Sequence, residues 1–129
     1  MASVVHLECQ SGLAATIEAR GHRLTADEPT DAGGTDTGPA PYELLLGSLA
    51  ACTALTLRMY ADRKRWDLGK IDVTTRFRRD FDGTEWIERD IRCSNPLDAA
   101  QRERLAEISE KTPVTKTLTR SLAIATKML

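Results

Sequence analysis

The chain has 129 residues, 29% of them charged, with 18 basic against 19 acidic side chains and a formal net charge of −1. That length fits one domain, 1–129, with its own core, and the near-balance of charge gives no electrostatic reason to bind nucleic acid or an anionic membrane. Three cysteines, an odd number, argue against a secreted disulfide framework, and the N-terminus lacks the basic-then-apolar pattern of a signal peptide; a cytoplasmic protein with reduced thiols is expected.

The first 26 residues read as three antiparallel strands. Val5, Leu7 and Cys9 alternate with His6 and Glu8, Ser11-Gly12 marks a turn, and Leu13, Ala15, Ile17 and Ala19 alternate with Thr16, Glu18 and Arg20. Gly21 marks a second turn before a short strand through Arg23-Leu24-Thr25. Asp27 to Ala40 is rich in Asp, Thr, Gly and Pro and reads as a loop, either a surface connection or a cover for a site. Pro41 suits the first turn of a helix that is predicted to run to about Lys64, with Arg58, Arg63, Lys64 and Arg65 near its C-terminal carbonyls.

A long hairpin follows. Ile71, Val73, Thr75 and Phe77 alternate with polar residues, Asp80 to Thr84 is the turn, and Ile87, Ile91 and Cys93 share one face of the returning strand with Arg89 intruding between them. Arg76, Arg78 and Arg79 fall mostly on the polar face. Asn95 is predicted to cap a second helix with Pro96 at its first position and Asp98 in its first turn. Leu97, Leu105 and Ile108 line one face of it, and Thr112 joins them if the helix reaches that far. Pro113 breaks or restarts the helix. Leu122, Ile124, Thr126 and Met128 form a last strand. The order is βββ-α-ββ-α-β, an α+β fold.

The longest uncharged run lies inside the first helix. No residue from Leu44 to Leu57 carries a charge, and Cys52 sits in its middle. The run is shorter than the roughly 20 residues that span a bilayer, so a long buried central helix is expected instead. It presents Leu and Ala on every face, and one small sheet covers only one side. A second copy of the chain is the simplest cover for the rest, hence a homodimer with this helix near the interface.

Burial and neighbouring charge decide whether a cysteine in such a run is an inert small hydrophobe or a nucleophile. Cys9 and Cys93, each on the apolar face of a predicted strand, read as core residues. His22 reads as a solvated turn residue. The cysteines lie far apart in sequence and no Cys-x-x-Cys, phosphate loop or nucleophile elbow is present, so neither a metal nor a cofactor is expected.

Two segments carry a resemblance. Gly34-Thr35-Asp36-Thr37-Gly38-Pro39-Ala40-Pro41-Tyr42-Glu43-Leu44-Leu45-Leu46, running into Ala50-Ala51-Cys52-Thr53, and later Lys111-Thr112-Pro113-Val114-Thr115-Lys116-Thr117-Leu118, resemble the two motifs of the OsmC/Ohr family of thiol peroxidases. The element order is similar over essentially the whole chain. The resemblance implies an OsmC-like fold in an intertwined homodimer, with Cys52 attacking a peroxide as thiolate to leave a sulfenic acid. The family's second cysteine, which closes a disulfide, falls at Thr112, which has no sulfur. The family also uses an arginine beside the thiolate, oriented by a glutamate at the start of the helix. Arg20 and Arg23 are the candidates here. Glu43 is the nearest glutamate, one position from the usual place, where Tyr42 stands. At about 100° per residue it lies on the helix face opposite Cys52, which suits the other subunit's site or a dipole-favoured carboxylate.

The expected function is thiol-dependent reduction of an organic hydroperoxide through Cys52 in oxidative-stress defence, with an external thiol reductant as resolver. A non-catalytic dimer that binds a small apolar or acyl ligand, or a redox sensor of the same fold, is the alternative. A thiol placed at position 112 is expected to restore the two-cysteine cycle, at little packing cost.

Overall fold

The computed structural model describes residues 3–129, which fall into two compact units that divide after Leu46. In the first unit β1 (His6–Glu8), β2 (Ala15–Ala19) and β3 (His22–Ala26) form an antiparallel sheet in that order. Leu7 pairs with Ile17 and Ile17 with Leu24, which puts three branched apolar residues side by side. Gly21, with φ 82°, and Arg20, with φ 51°, turn β2 into β3. Cys9 lies one residue past β1 and is exposed, its Sγ 3.3 Å from the Gly12 carbonyl oxygen. The expectation of a core residue on a strand face fails there because β1 ends at Glu8 and all three of its residues are exposed.

The segment after β3 is held by its own hydrogen bonds. It makes one turn of 3₁₀ helix, Thr30–Ala32, and closes on β3 through Asp27 N donating to Pro39 O at 3.2 Å. Asp27 is buried, and its carboxylate accepts from the Thr35 hydroxyl at 2.6 Å, the Thr37 hydroxyl at 2.7 Å and the backbone N–H of Glu28 at 2.8 Å. A Cβ at Gly34 would collide with the Glu28 carbonyl, so only glycine allows the segment to fold so tightly there.

Helix α1 (Pro41–Lys64) has the predicted bounds. At 24 residues it is long and apolar enough, by length and composition alone, to cross a membrane. Its Leu49, Thr53, Leu57 and Ala61 are nonetheless buried, a stripe at i, i+4, i+8 and i+12 of the kind a core helix shows. The opposite side is open within one chain: Leu55 is 62% and Met59 59% exposed. A central helix buried all round is therefore not what a single chain forms, because the elements of the second unit cover one stripe only.

In that unit β4 (Ile71–Arg79) and β5 (Glu85–Cys93) make the expected hairpin, with Ile71 opposite Cys93, Val73 opposite Ile91 and Phe77 opposite Ile87. Gly83, φ 87°, supplies the turn. On the outer face Arg76 pairs with Asp90 at 2.8 Å and Arg78 with Glu88 at 3.0 Å. Leu57, Ala61, Leu68 and Leu105 form the core, with Trp66, Ile71, Ile91, Cys93 and Ile108 packed on it.

Helix α2 (Ala99–Ser109) begins later than predicted. Asp98, not Asn95, is its N-cap, in a capping box with Gln101. Asn95 is engaged elsewhere: its side chain donates to Asp67 O at 3.0 Å and its backbone N–H to Leu68 O at 3.1 Å. Helix α2 stops at Ser109, so Thr112 does not share its face with Leu105 and Ile108. Thr112 instead caps a further helix, α3 (Pro113–Leu118), with Pro113 in its first turn. The strand expected over Leu122–Met128 does not form. Residues 121–129 have no regular structure, and Ile124 and Met128 are 89% and 92% exposed. A strand requires a hydrogen-bonded neighbour, and this segment has none among the described residues.

Candidate functional site

Cys52 lies at the middle of α1, half-buried, one residue before the buried Thr53. Successive helical residues diverge by about 100°, so the thiol sits beside the stripe that packs into the second unit rather than within it. Its Sγ is 4.0 Å from the Thr56 hydroxyl. All three cysteines are free. Burial pushes the Cys93 thiol above its ordinary pKa, against the opposing pull of Arg58 and Arg102, a direction that disfavours the thiolate.

A charged side chain of β5, Arg89, reaches this part of α1. The Arg89 side chain is only 11% exposed and spreads its fork over three helices. Nη1 donates to Thr53 Oγ1 of α1 at 3.0 Å and to Thr115 Oγ1 of α3 at 2.8 Å. Nη2 donates to the Ser109 carbonyl, at the last residue of α2, at 3.0 Å. A cation is favoured at that helix end by the unsatisfied carbonyls. Glu110 completes an ion pair at 3.3 Å but is 73% exposed, so solvent screens it. The guanidinium is held chiefly by hydroxyls and a carbonyl, which match its fixed donor geometry.

Thr112 belongs to the same network. It is fully buried. Its hydroxyl lies 2.6 Å from that of Thr115 and accepts from the Thr115 backbone N–H at 3.3 Å. Thr53 in turn donates to Leu49 O at 2.7 Å. A continuous chain of hydrogen bonds thus runs from Thr112 through Thr115, Arg89 and Thr53 to the turn of α1 that carries Cys52. No buried side-chain polar atom among the described residues lacks a partner.

The other sequence candidates lie in the first unit. Arg20 is exposed in the β2–β3 turn, and Arg23, on β3, is 3.6 Å from Glu18 with its side chain 74% exposed. Glu43 is in the first turn of α1 and accepts from the Ala40 backbone N–H at 2.8 Å, the N-terminal carboxylate role that the helix dipole favours. Arg89, Thr53 and Thr115 are not among the site residues expected from the sequence, although Arg89 stands out there as a charge on an apolar strand face. The signal was present: a charged residue at a strand position whose neighbours two residues either side are Ile87 and Ile91 needs a buried polar partner.

A groove of about 590 Å³ opens beside this network, lined by Leu49, Phe77, Trp86 and Ile87 together with the polar Glu85, Arg89, Glu110 and Thr115. Such a surface suits an apolar molecule with one polar end.

A sequence profile described as OsmC-like protein matches residues 34–127, most of the chain and both segments discussed above. Among curated proteins none matches. Among solved structures the chain is similar to an OsmC-like protein from Mycoplasma pneumoniae, at 21% identity and a TM-score of 0.73, over 92% of this chain and 88% of that one. It is similar to an organic hydroperoxide resistance protein OsmC from Legionella pneumophila, at 17% identity and 0.68, over 92% and 89%. The organic hydroperoxide resistance protein OhrB of Bacillus subtilis matches at 21% identity and 0.60, over 91% and 90%. At these identities the likeness is one of fold, and the profile match supplies the family: the chain belongs to the OsmC-like proteins.

Proposed function

We propose that this protein reduces an organic hydroperoxide through Cys52 in a redox, oxidative-stress role, and that an external thiol, not a second cysteine, regenerates it. Cys52 thiolate attacks the distal peroxide oxygen. The oxygen–oxygen bond breaks, the alkoxide leaves and takes a proton from water to become the alcohol, and sulfenic acid remains on sulfur. A low-molecular-weight or protein thiol then displaces water from the sulfenic acid, and a second thiol releases reduced Cys52. Arg20 or Arg23 is proposed to support the thiolate and Glu43 to orient that arginine, in a homodimer formed over the open side of α1.

The single observation that carries the external-thiol step is the state of position 112. Its side chain is a buried hydroxyl engaged in capping α3, and an oxygen there cannot form a disulfide. Peroxide consumption by the reduced protein, followed with and without a monothiol, is the test. Turnover sustained by a monothiol and absent in Cys52→Ser is the expected result. Turnover that survives in Cys52→Ser would overturn the reading.

The groove of about 590 Å³, with Leu49, Phe77, Trp86 and Ile87 in its lining, favours a second reading, a non-catalytic dimer that holds a small apolar ligand. Binding of an apolar probe such as 1-anilinonaphthalene-8-sulfonate, together with a Cys52 inert to peroxide, would select it.

A further inference from the structure

Arg89 satisfies none of the roles above, yet it is the side chain that joins the two segments with chemistry. It reaches α1 at Thr53, the residue after Cys52, and α3 at Thr115, three residues after Thr112. A long cationic side chain buried to 11% exposure is costly to keep unless every donor finds an acceptor. Four contacts from Nη1 and Nη2 offset much of that cost, with acceptors on α1 at Thr53, on α3 at Thr115 and at the end of α2 at Ser109 and Glu110. The hydroxyl at position 112 holds Thr115 from the far side at 2.6 Å.

We propose that Arg89 is a positioning residue for Cys52, and that Thr112 is part of the same clamp, so that position 112 acts in this chain by hydrogen bonding instead of by sulfur chemistry. The inference rests on the reading of Cys52 as the peroxide-reactive thiol. Attack of a thiolate sulfur in line with the peroxide oxygen–oxygen bond tolerates little misplacement. An α1 turn free to shift against β5 and α3 would present Cys52 in a spread of positions. The guanidinium fixes that turn through Thr53, whose hydroxyl is itself fixed by Leu49 O at 2.7 Å. Arg89 touches Thr53 and not sulfur, so its effect is one of placement.

The test compares wild type with Arg89→Met, Thr112→Val and Thr112→Ser, at a temperature well below every melting transition. Three quantities are read on Cys52: the rate of oxidation by cumene hydroperoxide, the apparent thiol pKa from the pH dependence of alkylation, and the limiting alkylation rate. Arg89→Met and Thr112→Val are expected to slow oxidation about tenfold or more, with the thiol pKa and the limiting alkylation rate unchanged. Thr112→Ser, which keeps the hydroxyl, is expected to retain the wild-type rate. Lower melting temperatures with unchanged oxidation rates would show a purely structural clamp and overturn the inference. A slower oxidation explained by a raised thiol pKa would overturn it too, because Arg89 would then act as a charge. A wild-type Cys52 that does not react would instead overturn the peroxidase reading, and the inference with it.

Discussion

Arg89 Nη1 stands 3.0 Å from Thr53 Oγ1, one residue past Cys52 on the helix and across the unit from its own strand. That contact ties the thiol-bearing turn to β5. With the Thr115 contact and the Thr112–Thr115 pair it links the segment around Cys52 to the segment around Thr112 by hydrogen bonds.

Leu55 and Met59 are exposed on the side of α1 that the second unit leaves open, and exposed apolar surface of this kind marks an interface. The protein is expected to sediment at twice the mass of its 14.2 kDa chain. Leu55→Glu should give a folded monomer, because the substituted side chain is already outside the core. A wild-type monomer at micromolar concentration would rule the homodimer out.

Asp27 predicts a pH dependence. Hydrogen bonds from Thr35, then Thr37, hold its carboxyl far below the ordinary carboxylate value, outweighing the opposing effect of burial. The folded pKa is lower than the unfolded one, so the stabilisation is complete above the unfolded value of about 3.9 and is lost as pH falls toward the folded value. Asp27→Asn should therefore melt below wild type at pH 7, and the gap should narrow below about pH 4. A gap that does not change with pH would contradict this account of the 27–40 segment.

The core offers a plainer test. Leu57 is fully buried at the centre of the apolar cluster, and Leu57→Ala should cost about 2–5 kcal/mol in chemical denaturation. A cost below about 1 kcal/mol would mean that the α1 stripe is not the core of the second unit.

Thr112→Cys tests the site from the other motif. The substitution removes the hydroxyl that caps α3, and cap losses run at about 1 kcal/mol; the small packing cost that similar volumes suggest is therefore not the whole of it. The variant should still fold and, on peroxide treatment, close a disulfide between Cys52 and the new thiol. A folded variant that over-oxidises at Cys52 without forming the bond would show that the two positions do not approach each other.

Much of the fold was legible in residue patterns. The uncharged run with Pro41 before it marks α1 from Pro41 to about Lys64, and period-two alternation on either side of Asp80–Gly83 marks the β4–β5 hairpin. Alternation in Leu122–Met128 predicts a strand that does not form, because alternation records what a segment could pair with, not whether a partner is present. Asn95 and Asp98 are both good caps, and the choice between them was made by Asp67 and Leu68, which compete for Asn95 through tertiary contacts invisible in local sequence. Cys52 and Thr112 could be singled out by motif. Their connection could not, because it passes through Arg89 and Thr115, whose pairing depends on how β5 meets α3. The one hint was a charged side chain between Ile87 and Ile91.

The central claim, a reactive Cys52 without an internal resolver, is tested most directly by mass spectrometry of the reduced protein after one equivalent of cumene hydroperoxide. Trapping with dimedone should place a sulfenic acid on Cys52, with Cys93 unmodified and no Cys52–Cys9 or Cys52–Cys93 disulfide, and added monothiol should return the protein to its reduced mass. An unmodified Cys52, or an intrachain disulfide joining it to either other cysteine, would contradict the account.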